Sequence, residues 1–152
     1  MPKTGVEAFD RLAKDSPAEF HAFLDKVREN GWIIKATDKL GRTTPALYFP
    51  RKGRFYYDPQ RMTVLDMQHE AIHLELFQQR GNWKWVDGQL YRDEIEAYKF
   101  EYELGRQQGF SEEYMEYLQR QIDTYKYLLS PDGPGGLRPS TMPDPFMKRI
   151  DP

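Results

Sequence analysis

Apolar positions in the first thirty residues recur at helical spacing. Residues 5–14 (GVEAFDRLAK) predict a short helix that turns Phe9 and Leu12 inward. Ser16-Pro17 then reads as an N-cap followed by proline at the first helical position. It opens a helix to Asn30, closed by Gly31, with Phe20, Phe23, Leu24 and Val27 as its apolar face. From Trp32 the period changes. Trp32–Thr37, Ala46–Phe49 and Arg54–Tyr57 are short β-branched and aromatic runs, separated by Gly41, Pro45, Pro50, Gly53 and Pro59. They predict three strands forming a small, mainly antiparallel sheet.

A longer helical pattern follows. Val64, Met67, Ala71, Leu74 and Gln78 lie on one face, and Leu65, His69, Ile72, His73 and Leu76 on the next. Two apolar faces mark a helix buried in the middle of a domain. Thr63 is its expected N-cap, and Gly81, after Arg80, its expected stop. Gly81–Leu90 is long enough to turn the chain back. It contains Trp83 and Trp85, which would wall a pocket or cover the helix end, and an Asp87-Gly88 turn. Arg92–Tyr102 predicts a further helix with Ile95, Tyr98 and Tyr102 as its stripe. Ser111 with Glu112 and Glu113 starts a last one, running to about Leu128 with Met115, Leu118, Ile122, Tyr125 and Leu129 in its seam. These elements predict an α+β fold: a small sheet packed with a central helix and further helices. The expected organisation is one domain over 1–129 and a Pro/Gly-rich tail over 130–152, which takes more than half of the 11 prolines.

Length and composition narrow the classes. A chain of 152 residues is enough for one hydrophobic core. Lys and Arg (22) nearly balance Asp and Glu (24), so neither nucleic acid nor an anionic membrane is an expected partner. No apolar run reaches bilayer length, and no signal peptide is expected from Met1-Pro2-Lys3. The absence of cysteine excludes disulfides, thiolate metal sites and cysteine nucleophiles.

The central helix carries the candidate chemistry. His69-Glu70-Ala71-Ile72-His73 holds two of the three histidines, four residues apart and so one turn apart on one face. Two imidazoles so placed can hold one Zn²⁺ from the same side. Glu70, about 60° around the helix from His73, is placed to take a proton from a water. A core helix with merely hydrogen-bonded histidines is the plainer alternative. A third ligand is needed, and the Arg92–Tyr102 stretch offers the acids. Glu94 is preferred because Ala97, one turn along, permits close helix packing; Glu96 is the competitor, with bulky Phe100 one turn on. Asp93, Glu101 and Glu103 read as a solvated face or as outer support. His21, on the second helix, reads as a surface or capping histidine.

His69-Glu70-x-x-His73 followed by Glu94-Ile95-Glu96-Ala97-Tyr98 resembles the gluzincin metallopeptidases. The resemblance implies His69, His73 and Glu94 as zinc ligands and Glu70 as general base. Many members have Asp or Asn four residues after the ligand Glu, where this chain has Tyr98. A β-rich lead ending in Arg54-Phe55-Tyr56-Tyr57-Asp58-Pro59, the motif helix, and then Gly109-Phe110-Ser111 look like the zincin-like metallopeptidase toxin domains of bacterial polymorphic toxins. This wider similarity covers roughly 31–127.

What the resemblance implies is a zinc-dependent endopeptidase acting on a protein or peptide. It would be the toxin or effector domain of a larger exported bacterial protein, delivered into a target cytoplasm and neutralised by a cognate immunity protein. By the same analogy, Leu47–Phe49 or Phe55–Tyr57 would line a substrate cleft, with packing in the core as their other reading. Tyr91, Tyr98 or Tyr102 would supply the donor for the tetrahedral oxyanion. The alternatives are a non-toxic intracellular metallopeptidase or zincin-fold regulator, and a helical binding module without catalysis.

Overall fold

The computed structural model describes residues 2–49, 52–80 and 88–130. The expectations for Gly81, Trp83, Trp85 and Asp87, and for the tail beyond Ser130, lie outside them. The described residues form an α+β structure of five α-helices and one three-stranded sheet. They divide into two compact units, one over Ala8–Leu74, the other from Glu75 onward together with the N-terminal residues to Glu7.

In the first unit the predicted N-terminal helix is broken. Helix α1 covers Glu7–Asp10, and a 3₁₀ turn covers Ala13–Asp15. Between them the backbone is taken by a bridge of Leu12 to Thr63: Ala13 N–H donates to Met62 O at 2.8 Å, and Val64 N–H to Arg11 O at 2.9 Å. Backbone groups engaged across the fold cannot close helical turns, so the apolar period of residues 5–14 does not become one helix. Helix α2 (Pro17–Glu29) starts on proline as expected, and Gly31 beyond it takes φ 82°, a left-handed conformation that suits glycine. Phe23, Leu24 and Val27 are buried on it.

Strands β1 (Ile33–Ala36), β2 (Ala46–Phe49) and β3 (Arg54–Tyr57) form a sheet in the order β1-β3-β2. β2 runs antiparallel to β3, but β1 runs parallel to it. The expected mainly antiparallel sheet is thus mixed. Turn residues predict that a chain reverses, not which strand it then lies beside, and here β3 enters the middle alongside the earlier β1. Both faces of the β2–β3 ladder are covered. Tyr48 and Phe55 face each other with ring centroids 4.8 Å apart, and Phe23 of α2 stands edge-on to Phe55 at 5.5 Å. On the other face Leu40, Phe49 and Tyr56 form a buried cluster with Leu47 against it. The aromatics at 48, 49, 55 and 56 are therefore core side chains, not walls of a cleft. Edge strand β1 is mostly exposed.

One side chain ties down the loop between β1 and β2. Arg61 Nε donates to Asp58 Oδ2 at 2.8 Å, Nη1 to the carbonyls of Gly41 and Arg42, and Nη2 to those of Leu40 and Thr44. The planar guanidinium supplies all five donors, which a lysine could not.

Helix α3 (Val64–Gln79) runs unbroken through the boundary between the units. In the second unit, α4 (Gln89–Gln108) and α5 (Glu112–Leu129) form a helical hairpin. Gly109 ends α4 at φ 77°, and Ser111 caps α5 by accepting from Tyr114 N–H at 3.2 Å. The N-terminal residues close on this turn, with Ser111 N–H donating to Thr4 O at 2.6 Å. Gly105 packs closely against the start of α5 and the turn before it: a Cβ there would lie 2.5 Å from Met115 Sδ and 2.6 Å from Phe110 Cδ2.

Candidate metal centre

The start of α3 is held by a reciprocal cap. Thr63 N–H donates to Asp66 Oδ2 at 2.9 Å, and Asp66 N–H to Thr63 Oγ1 at 3.1 Å. Two backbone donors that the helix cannot satisfy internally are thereby paired. Asp66, which the sequence sets one turn before Glu70, is thus a capping residue.

His69 and His73 are both buried on this helix. Their Nε2 atoms converge to 3.2 Å, with ring centroids 5.0 Å apart. Two nitrogens bound tetrahedrally to one ion at about 2.0–2.1 Å stand roughly 3.3–3.4 Å apart, so the 3.2 Å separation is compatible with two ligands of one ion, as it is with a hydrogen bond between the imidazoles. A carboxylate oxygen of Glu94, half-buried on α4, completes the group: the ligand atoms of His69, His73 and Glu94 all lie within 4.8 Å of one another. Two imidazole nitrogens and one carboxylate oxygen suit a divalent metal ion and leave a position for water. The group could bind such an ion.

The other acids of α4 fall elsewhere. Glu96 is exposed and paired with Lys99 at 3.9 Å. Glu103 is exposed beside Arg106. Asp93 and Glu101 are not on a solvated face: they are 2% and 3% exposed. Asp93 accepts from Arg80 and Gln89, and Glu101 accepts from Tyr114 Oη at 3.1 Å. Charge in a sequence signals solvent only by default; these carboxylates are buried because each has donors aimed at it. His21 is exposed on α2 beside Phe20 and belongs to no such group among the described residues.

Glu70, which follows His69 in the sequence and is half-buried, has its backbone carbonyl fastened by Tyr48 Oη at 2.9 Å. Burial first, and the charge of Glu70 second, push the Tyr48 phenol well above its ordinary range, so it stays protonated and keeps donating. Of the three candidate tyrosines, Tyr98 is stacked on Tyr125 at 6.0 Å. Burial first, then the charge of Glu94, push its phenol up. Tyr91 lies against Tyr125 at 5.8 Å, and Tyr102 is half-buried. Sequence reasoning missed Tyr48, which donates to the Glu70 carbonyl, and Arg80 and Gln89, which donate to Asp93. Only Arg80 left a trace, seven residues and so about two turns beyond His73 on the same face.

No family model, no curated protein and no solved structure matches the chain. Side-chain geometry therefore carries the functional reading.

Proposed function

We propose that this chain is a zinc-dependent endopeptidase whose metal is held by His69, His73 and Glu94. The observation that supports it is the 3.2 Å approach of the two Nε2 atoms with a Glu94 oxygen in the same cluster. Zinc suits a two-histidine, one-carboxylate set, and when bound it polarises a carbonyl and brings the pKa of a water to about 7. Glu70 follows His69 directly and lies about 60° around the helix from His73. In this reading its carboxylate takes the proton of the attacking water and returns it to the leaving amine. The hydrogen bond of Tyr48 to the Glu70 carbonyl holds that turn of helix in place. Tyr98, with its phenol kept protonated, is a neutral donor one turn from Glu94.

The wider role we propose is that of a zincin-like toxin or effector domain of an exported bacterial protein. It would cleave a protein substrate and be restrained by a cognate immunity protein. This part rests on the sequence resemblance alone. Expression in bacteria separates it from a non-toxic peptidase: toxicity that disappears with Glu70→Gln supports it, and equal growth with both forms removes it.

Metal analysis of the purified chain tests the site. One zinc per chain is expected in the wild type and in Glu96→Ala, and loss of it in Glu94→Ala. Loss on changing Glu96 instead would move the ligand. A wild type without metal after zinc reconstitution would leave a hydrogen-bonded histidine pair in a buried helix, which the same 3.2 Å separation also allows.

A further inference from the structure

Asp93 is a buried carboxylate with three donors aimed at it. Arg80 Nη1 stands 3.0 Å from Oδ1 and Nη2 2.7 Å from Oδ2, while Gln89 Nε2 reaches Oδ1 at 2.8 Å. A two-pronged contact of this kind restrains both position and rotation. The partners are attached to the two halves of the metal group. Arg80 continues the spiral of α3, its N–H donating to Leu76 O at 3.2 Å. It therefore follows the helix that bears His69 and His73. Asp93 immediately precedes Glu94, so their Cα atoms are about 3.8 Å apart.

We propose that the Arg80–Asp93 pair is the clamp that sets Glu94 against the two histidines, which makes Arg80 and Asp93 positioning residues of the metal centre. This rests on reading His69, His73 and Glu94 as ligands. Two physical needs are met at once. Metal bonds tolerate errors of only about 0.2 Å, while a slip of one residue along α4 swings a side chain by about 100°. Slipped either way, α4 would present Asp93 or Ile95 where Glu94 belongs. The clamp also engages both oxygens of Asp93, so the adjacent acid does not compete with Glu94 for the ion. Gln89, one turn before Asp93 on the same helix, supports the arrangement from α4 itself.

The test is zinc affinity of the full chain, measured in competition with a chromogenic chelator, with the visible spectrum of the cobalt-substituted protein as a report on coordination. Arg80→Lys and Asp93→Asn are expected to weaken zinc about 10–100-fold and to alter the cobalt bands. Tyr114→Phe removes another buried bond from the same unit and is expected to leave both readouts unchanged. If Arg80→Lys and Asp93→Asn do not fold, Gln89→Leu removes only the third donor and should give a smaller loss in the same direction. Wild-type affinity and spectrum in the clamp variants would overturn the proposal while leaving the metal centre standing. An equal loss in Tyr114→Phe would overturn it too, reducing the clamp to general stability. A wild type that binds no zinc removes the metal centre and the clamp together.

Discussion

The phenol of Tyr48 donates a 2.9 Å hydrogen bond to the backbone carbonyl of Glu70, which fastens strand β2 to α3 at the turn between the two histidines. Tyr48→Phe keeps the ring packed against Phe55 and deletes only this bond. The carbonyl still has its helical partner, so the expected loss is about 1 kcal/mol. In a chain of this size that is about 2–4 °C in melting temperature, read by thermal unfolding followed by circular dichroism.

Glu70→Gln should retain metal and lose peptide hydrolysis by at least about 10²-fold, the usual range for removal of a positioned proton acceptor. The amide preserves size and helix propensity but cannot take a proton. Cleavage of an unstructured protein substrate, assayed beside metal content, checks it; wild-type rates in this variant would sink the mechanism.

Asp58 gives the fold a defined acid sensitivity. Burial pushes its carboxyl up, but the hydrogen bond from Arg61, the N–H of Gln60 and the charge of Arg61 together outweigh this and hold it below the ordinary aspartate value. The unfolded chain thus binds this proton more readily than the folded one. The resulting stability is complete above the ordinary value and is lost as pH falls through the lowered one. Urea unfolding midpoints should therefore drop less between pH 7 and pH 3 in Asp58→Asn than in the wild type. An identical drop would show that Asp58 does not contribute.

Gly105→Ala sets two effects against each other. Alanine gains about 1 kcal/mol over glycine inside a helix, but its Cβ would meet Met115 Sδ at 2.5 Å and Phe110 Cδ2 at 2.6 Å. The thioether can swing away; the buried Phe110 ring, next to the Gly109 turn, has little room to do so. Overpacking of this kind costs about 1–3 kcal/mol, so a net loss near 1 kcal/mol is expected. A melting temperature at or above that of the wild type would mean that the hairpin relaxes freely.

Local features were legible because their causes are local. The Pro17 start, the Thr63 cap, the Ser111 cap and the three strands follow from side chains acting within a few residues of themselves, although Ser16 makes no side-chain cap bond. The N-terminal helix was misjudged where a distant partner intervened, since the bridge from Leu12 to Thr63 spans residues that no periodicity links. The burial of Asp93 and Glu101 was hidden for the same reason: the charged donor of Asp93, Arg80, and the phenol that donates to Glu101, Tyr114, each lie 13 residues away.

The sequence by itself determined that one helix would carry two histidines on one face with a glutamate between them, because a helical repeat of about 3.6 residues turns a spacing of four into adjacency. It also determined the α+β class, through a change of period from helix to strand and back. Only the tertiary structure decided that β1 lies parallel to β3, and that Glu94 rather than Glu96 shares the histidines' cluster. Both depend on partners far apart in the chain, and spacing along the chain does not contain them.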